Sequence, residues 1–287
     1  MKYFDLHCDT LTRISEENPP QGEELHVTEG KAKIFEEYYQ VFAFFTDDTL
    51  PLSGAKQRLN RAMKDYGSQA GIHPLFAIEG GGVLEDDLKN LPEILRFRPC
   101  FFSLCWNGKN AFACGNMSDP SRGLTRKGKK LVRLLEENHI FADVSHLSDK
   151  GFDDLAKTAK RPFVATHSNA RAVCPHPRNC TDRQLQEIFE RKGLCGLNFY
   201  PPFVGENPED ILRHIDRMLS LGGETAVAVG GDWDGCDPFD GIDGIAGVPY
   251  FYEMTKTNFG REIADKIFFD NAYSFFRRHS LLPPEQN

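Results

Sequence analysis

Five places in this 287-residue chain carry the side chains that bind divalent metals or move protons. They are His7-Cys8-Asp9, Glu79-Gly80-Gly81-Gly82, Ser145-His146, Thr166-His167-Ser168-Asn169 and Gly231-Asp232-Trp233-Asp234-Gly235. In an extended strand side chains alternate between faces, so His7 and Asp9 point one way while Leu6 and Cys8 point the other. An imidazole beside a carboxylate suits Zn2+ or a similar divalent cation. Taken singly, each place has an ordinary reading. His7-x-Asp9 suits turn chemistry, Glu79 an exposed turn acid, His146 and His167 satisfied core histidines, and Asp232 and Asp234 loop caps. Taken together, three imidazoles and three or four carboxylates suffice for two divalent cations about 3.5–4 Å apart. Glu79, on a turn whose glycines let the backbone come close, is the natural bridge between them.

Each of these places directly follows a short apolar run. Such runs stand at 3–6, 39–45, 75–78, 100–105, 140–144, 162–165, 194–199 and 225–229. Between them lie stretches of helical periodicity at 53–70, 84–97 (with Pro92 inside), 125–138, 149–159, 181–191, 208–221 and 263–279. Thr125, Thr181 and Asn207 stand where N-caps are needed. Eight strands alternating with helices, with no composition break, predict one α/β domain over 1–287, a (β/α)8 TIM-type barrel with its helices outside. The C-terminal strand ends of such a barrel converge on one face, where barrel enzymes carry their chemistry. No Gly-x-Gly-x-x-Gly opens a helix after the first strand, which argues against a nucleotide-binding sheet. Residues 10–31 and 234–252 read as long loops over the mouth. Of the other histidines, His26, His139, His214 and His279 read as solvent-exposed, and His73 as lying on the opposite face.

An apolar fraction of 40% with 26% charged residues is that of an ordinary soluble protein. The net charge of −8 argues against nucleic acid or an anionic membrane surface as a partner. No run approaches the roughly 18 apolar residues of a membrane span. The chain goes straight into its first strand without a basic and then apolar leader, so the cytoplasm is the expected location. The eight cysteines are scattered and form no Cys-x-x-Cys, which reads as reduced, mostly buried thiols. Composition leaves the oligomeric state open, a homodimer being one option.

The motifs also carry a family resemblance. Asp-Leu-His-Cys-Asp-Thr (5–10), Ala-Ile-Glu-Gly-Gly (77–81), Gly-Leu-Thr-x-x-Gly (123–128) and Asp-Val-Ser-His (143–146) are followed by His-Ser-Asn-Ala-Arg-Ala-Val-Cys (167–174). Pro-Arg-Asn (177–179), Asn-Phe-Tyr-Pro-Pro-Phe (198–203) and Gly-Asp-x-Asp-Gly (231–235) complete the series. Their order resembles that of the membrane (renal-type) dipeptidases, dinuclear zinc peptidases of the amidohydrolase superfamily, along essentially the whole chain.

The resemblance implies a barrel of the metal-dependent hydrolase kind with two Zn2+ per chain. His7, Asp9 and Glu79 would hold one, and Glu79, His146 and His167 the other. It implies that Asp232 moves the proton and Arg178 receives the substrate carboxylate, with Trp106, Asn198 and Tyr200 in the substrate pocket. The expected reaction is hydrolysis of small dipeptides with a free C-terminal carboxylate by a metal-bridging hydroxide. Tolerance of D-residues at the C-terminal position is part of that expectation, and no membrane anchor is. Co2+ or Mn2+ also suits these ligands. Arg171 and, less so, His176 rival Arg178 as the anchor. Other readings are an amidohydrolase of N-acyl amino acids and a barrel that keeps its metals without turnover. Two features depart from common patterns. Trp106 stands where many relatives carry His. Strand four also has no terminal lysine to be carboxylated into a metal bridge, Lys109 lying beyond it, which leaves Glu79 as the bridge.

Overall fold

The structure, a computed structural model, describes residues 1–16, 24–45, 50–66 and 71–282. Its sheet is built from β1 (Lys2–Cys8), β2 (Glu37–Phe45), β3 (His73–Glu79), β4 (Phe101–Ser103), β5 (Phe141–Asp143), β6 (Cys195–Leu197) and β7 (Val227–Val229). The order is β5-β4-β3-β2-β1-β7-β6 and every pairing is parallel. The two outer strands are joined through residues 163–166. Val164 pairs with Asp143, and Ala165 with Cys195. Val144 N donates to Val164 O at 2.7 Å and Gly196 N to Ala165 O at 2.8 Å. The eight runs therefore close as a (β/α)8 barrel.

The sixth run, expected as a strand over 162–165, is reduced to these bridges. The cause is Asp143, whose Oδ1 accepts the backbone N–H groups of Ser145 at 2.9 Å and Thr166 at 3.0 Å. Those are the donors that a longer ladder would use. Glycines let the seam close: a methyl group at Gly196 or Gly230 would lie 2.0 or 1.7 Å from the Thr166 carbonyl oxygen.

An inner apolar cluster takes one or two residues from every strand position: Phe4, Leu6, Val41, Ala77, Phe101, Phe141, Val164, Leu194 and Ala228. The helix Asn271–Arg278 adds Phe275 and Phe276 to it. Phe276 meets Phe4 at 4.7 Å and Phe101 at 5.4 Å between ring centroids. A second cluster, which includes Phe42, Phe44, Leu131, Leu155, Leu185 and Ile215, lies between the strands and the helices. Two-residue alternation then sets what stands above the inner cluster. Ala77 leads to Glu79, Phe101 to Ser103, Phe141 to Asp143 and Val164 to Thr166. A polar layer thus succeeds an apolar one towards the C-terminal strand ends.

The helices Leu52–Tyr66, Arg126–Glu137, Asp149–Thr158, Asp182–Glu190 and Ile211–Ser220 fall where the periodicity places them. Thr125, Ser148 and Thr181 cap three of them by accepting from Gly128 N, Gly151 N and Gln184 N. Residues 67–70 of the first expected helix lie outside the described residues. The 84–97 stretch differs, forming the 3-10 turn Leu88–Asn90 and the one-turn helix Leu91–Leu95. Pro92 starts that helix in its first turn but would break a longer one. The last helix runs through a π-turn, Lys266–Asp270, into Asn271–Arg278. The expected loops also hold helices, Thr10–Ile14 and Glu29–Ala32 in the first and the start of Val248–Phe259 in the second. The last opens without a side-chain cap, its one start signal being Pro249 in the first turn. No helix among the described residues is long and apolar enough to cross a membrane.

Phe276 closes the inner core, so Phe276→Ala should leave a cavity and cost about 3–5 kcal/mol of stability. Urea unfolding followed by circular dichroism measures this, and an unchanged midpoint would show that the helix does not plug the barrel.

Candidate metal centre

At the C-terminal strand ends the imidazoles and carboxylates meet. Glu79 ends β3, and its two oxygens face different groups. Oε2 lies 3.4 Å from His7 Nε2, which is 3.6 Å from Asp9 Oδ2. Oε1 lies 2.7 Å from His146 Nε2 and 3.7 Å from His167 Nε2, and those two nitrogens are 2.9 Å apart. The donor atoms of His7, Asp9 and Glu79 all lie within 4.8 Å of one another, as do those of Glu79, His146 and His167. A third set, His7, His167 and Asp232, meets the same limit. Asp232 is also held from behind, where the Asn198 side-chain amide donates to its Oδ2 at 2.9 Å.

Backbone geometry aims these groups. β1 has a register irregularity between Asp5 and Cys8, where strict alternation is interrupted beside His7. His146 and Asp232 adopt φ of 74° and 61°, left-handed conformations that cost about 1–3 kcal/mol each and collect at functional sites. Asp232 N donates to His7 O at 3.1 Å, and His146 O accepts from Asn116 N at 2.8 Å. Gly235 is needed for space, since a methyl group there would lie 2.1 Å from Asp9 Oδ2 and 2.6 Å from Asp232 Oδ1.

The charges are strongly coupled. Burial would push the Glu79 carboxyl up, but the flanking His7 and His146 imidazoles hold it well below the usual carboxylate range. Burial would lower His7, yet the Glu79 and Asp9 carboxylates raise it well above an ordinary histidine. Burial and then the nearby cationic groups lower His146 and His167. Burial and the Glu79 charge push Asp9 up to about 7.

The structure places the other candidates as follows. Arg178 is buried, with Nη2 3.1 Å from His146 Nε2 and its guanidinium 5.4 Å from the Phe203 ring centre. Arg171 is instead engaged by both oxygens of Asp149, at 2.8 and 2.9 Å, and by the Asn179 carbonyl. His176 Nδ1 accepts from Arg178 N at 3.1 Å. Tyr200 packs edge-on against Phe203. Trp106, 42% exposed, lies 4.9 Å from the Phe45 ring and 5.9 Å from His146. Asp234 is a loop clamp, accepting from His26 N and the Thr10 hydroxyl. His214, expected at the surface, is fully buried. Its Nδ1 accepts from Ala170 N and its Nε2–H donates to Val204 O, so the hydrogen bonds repay its burial. His26 is half-buried, with Nδ1 accepting from Asp234 N.

The donor set fits divalent cations. Imidazole nitrogens and carboxylate oxygens of buried side chains converge within 4.8 Å of one another, the donor types and spacing that divalent cations take. His7 Nε2 and Arg178 Nη1 are buried without a hydrogen-bond partner. Sequence reasoning missed Asn107, Ser103, Asp143 and Thr166, which surround these side chains, and Gly235, which gives them room. A carboxylate inside an apolar strand, as at Asp143, was the one available signal.

Residues 58–280 match the sequence profile of the membrane dipeptidase family, peptidase family M19. The chain belongs to that family. An uncharacterized protein from the pqqA 5' region of Klebsiella pneumoniae is 34% identical over 209 residues, covering 68% of this chain and 77% of its own. Among solved structures, dipeptidase AC, a metallopeptidase of family M19, has a TM-score of 0.84 at 26% identity, covering 97% of this chain and 98% of that one. A metallopeptidase from Rhodobacter sphaeroides, liganded with a phosphinate mimic of the dipeptide L-Ala-D-Ala, has a TM-score of 0.82 at 25% identity over 97% and 99% of the two chains. Membership makes this chain a metallopeptidase relative, and the His/Glu cluster stands where a barrel of that kind needs its metals.

A cation held by this cluster competes with the protons of His7 and Asp9, both of which bind protons more tightly than usual. Metal affinity should therefore rise as pH increases through about 7, with protons released on binding. Calorimetry in buffers of different ionisation enthalpy tests this. Binding without proton release across that range would contradict it.

Proposed function

We propose that this protein is a dipeptidase that hydrolyses dipeptides bearing a free C-terminal carboxylate, using two divalent metal ions, with Zn2+ the preferred pair. The observation that carries the reading is Glu79, whose two oxygens face two separate donor sets. His7 and Asp9 would hold one ion with Glu79, and His146 and His167, again with Glu79, would hold the other. When bound, such ions polarise a peptide carbonyl and make water a nucleophile at neutral pH.

The chain's own residues supply the rest. Asp232 takes the proton from the attacking water and returns it to the leaving amine, acting as base and then as acid. Asn198 holds that carboxylate in place from behind. Arg178, buried and with Nη1 lacking a partner, offers its planar fork to the substrate carboxylate. The guanidinium lies over Phe203 and Tyr200 packs edge-on against Phe203, so Tyr200 borders the same subsite. Trp106 and Phe45 form an apolar rim on the His146 side, suited to apolar side chains on the substrate. The L-Ala-D-Ala mimic held by the Rhodobacter relative supports a C-terminal subsite tolerant of D-residues.

The position of the carboxylate anchor separates a dipeptidase from an aminopeptidase. A tripeptide cut at its first bond carries its carboxylate one residue further out, roughly 3.3–3.6 Å in extended form. Ala-Ala should be cleaved, while Ala-Ala-amide and Ala-Ala-Ala should be poor substrates. Arg178→Met should cost about 2–5 kcal/mol in kcat/KM for Ala-Ala with metal content retained. Equal cleavage of the acid and the amide would remove the anchor and favour a broader amidohydrolase.

Asp232→Asn should fold and load metal normally yet lose about 10²–10⁴-fold in kcat. Elemental analysis beside steady-state kinetics decides it. Metal lost together with activity would make Asp232 a ligand instead of a proton carrier.

A further inference from the structure

All three imidazoles turn Nε2 towards the centre. Whether that nitrogen carries a proton or a free lone pair depends on what holds Nδ1. Thr166 lies in the polar layer just beneath. Its hydroxyl oxygen is 2.7 Å from Asp143 Oδ2, 2.8 Å from His167 Nδ1 and 3.3 Å from His7 Nδ1. Asp143 is buried, and four donors converge on it. Ser145 N–H and Thr166 N–H reach Oδ1, while the Ser103 hydroxyl at 2.8 Å and the Thr166 hydroxyl reach Oδ2. A carboxylate so surrounded is an acceptor only. Thr166 has a single hydroxyl proton, and Asp143 takes it. Of the neighbours that remain, His167 Nδ1 at 2.8 Å and His7 Nδ1 at 3.3 Å lie closer than the Ser145 hydroxyl at 3.4 Å, so the two lone pairs fall to the Nδ1 atoms, which are then the donors.

We propose that Thr166, oriented by Asp143, is a positioning residue that keeps the proton of His7 and of His167 on Nδ1, leaving each Nε2 as a lone pair aimed at a cation. The inference rests on the metal reading above and deepens it. Its signature is asymmetric. His7 belongs to one donor set and His167 to the other, so one hydroxyl serves both. His146 is served separately, its Nδ1 lying 2.8 Å from Asn107 Oδ1. Thr166 is fully buried, so a substitution that keeps its size is the informative one.

The test combines Zn2+ titration against a chromophoric chelator with nitrogen NMR of labelled imidazoles, before and after chelation. In the chelated wild type, His167 should carry its proton on Nδ1, opposite to the preference of free imidazole. Thr166→Val, nearly equal in size, should weaken both Zn2+ sites by about 10–100-fold. Thr166→Ser, which restores the hydroxyl, should bind both ions like the wild type. Asn107→Leu should weaken one site only.

A proton on His167 Nε2 in the wild type would overturn the proposal, as would a folded Thr166→Val that binds both ions normally. A folded Thr166→Ser that loses both would overturn it too, since the methyl group would then be what matters. If Thr166→Val does not fold, the serine variant and the wild-type tautomer carry the decision. A wild type that binds no Zn2+ would end the metal reading, whereas the tautomer would still decide the role of Thr166.

Discussion

A carboxylate enclosed by three imidazoles is the constraint that organises this barrel. Glu79 is 3% exposed, and a charge so placed is tolerated only when partners satisfy it from several sides. His7 stands on one side and His146 on the other, and both hold the carboxyl ionised against the cost of burial. Without Glu79, His146 and His167 would face each other at 2.9 Å with no charge between them to favour the approach.

The arrangement extends downward as well as sideways. Beneath the imidazoles lies a second buried carboxylate, Asp143, which gathers two backbone amides and two hydroxyls. Those hydrogen bonds interrupt regular pairing at 163–166, so closure of the barrel and support of the centre are one local event. Glycines at 196 and 230 make it sterically feasible. Below this, the core becomes apolar and ends in the aromatic side chains of the last helix. The change from apolar to polar occurs within one strand repeat, which keeps a charged centre on a rigid floor.

The rim is held by polar networks of a different kind. Asn169 donates to Asn198 O and Phe203 O, and Asn179 donates to Cys174 O and Phe203 O. Together they tie the segment that carries Arg178 to the segment that carries Asn198 and Tyr200. Opposite, the mutual hydrogen bonds of His26 and Asp234 hold the first long loop against the last. Trp106 presents a broad apolar face beside His146.

Sequence alone determined the run of parallel β/α units and the residues that meet at the centre, while the sixth strand shrank to bridges. Those features are local: an apolar run, a two-residue alternation and a metal-type residue at its end. His7, Asp9, Glu79, His146, His167 and Asp232 were legible for that reason, and the family motifs named Arg178 over its neighbours without a physical ground. Packing separates the two arginines, committing Arg171 to Asp149 and leaving Arg178 beside the imidazoles. It also decided what no spacing encodes. His214 is buried because two backbone groups, Ala170 N–H and Val204 C=O, satisfy it. The start of the helix Val248–Phe259 stands where turn composition suggested a loop. Thr166 and Asp143 meet because the barrel closes there: partners 23 residues apart are joined by a ring, and hydrogen-bond direction exists only once the ring is formed.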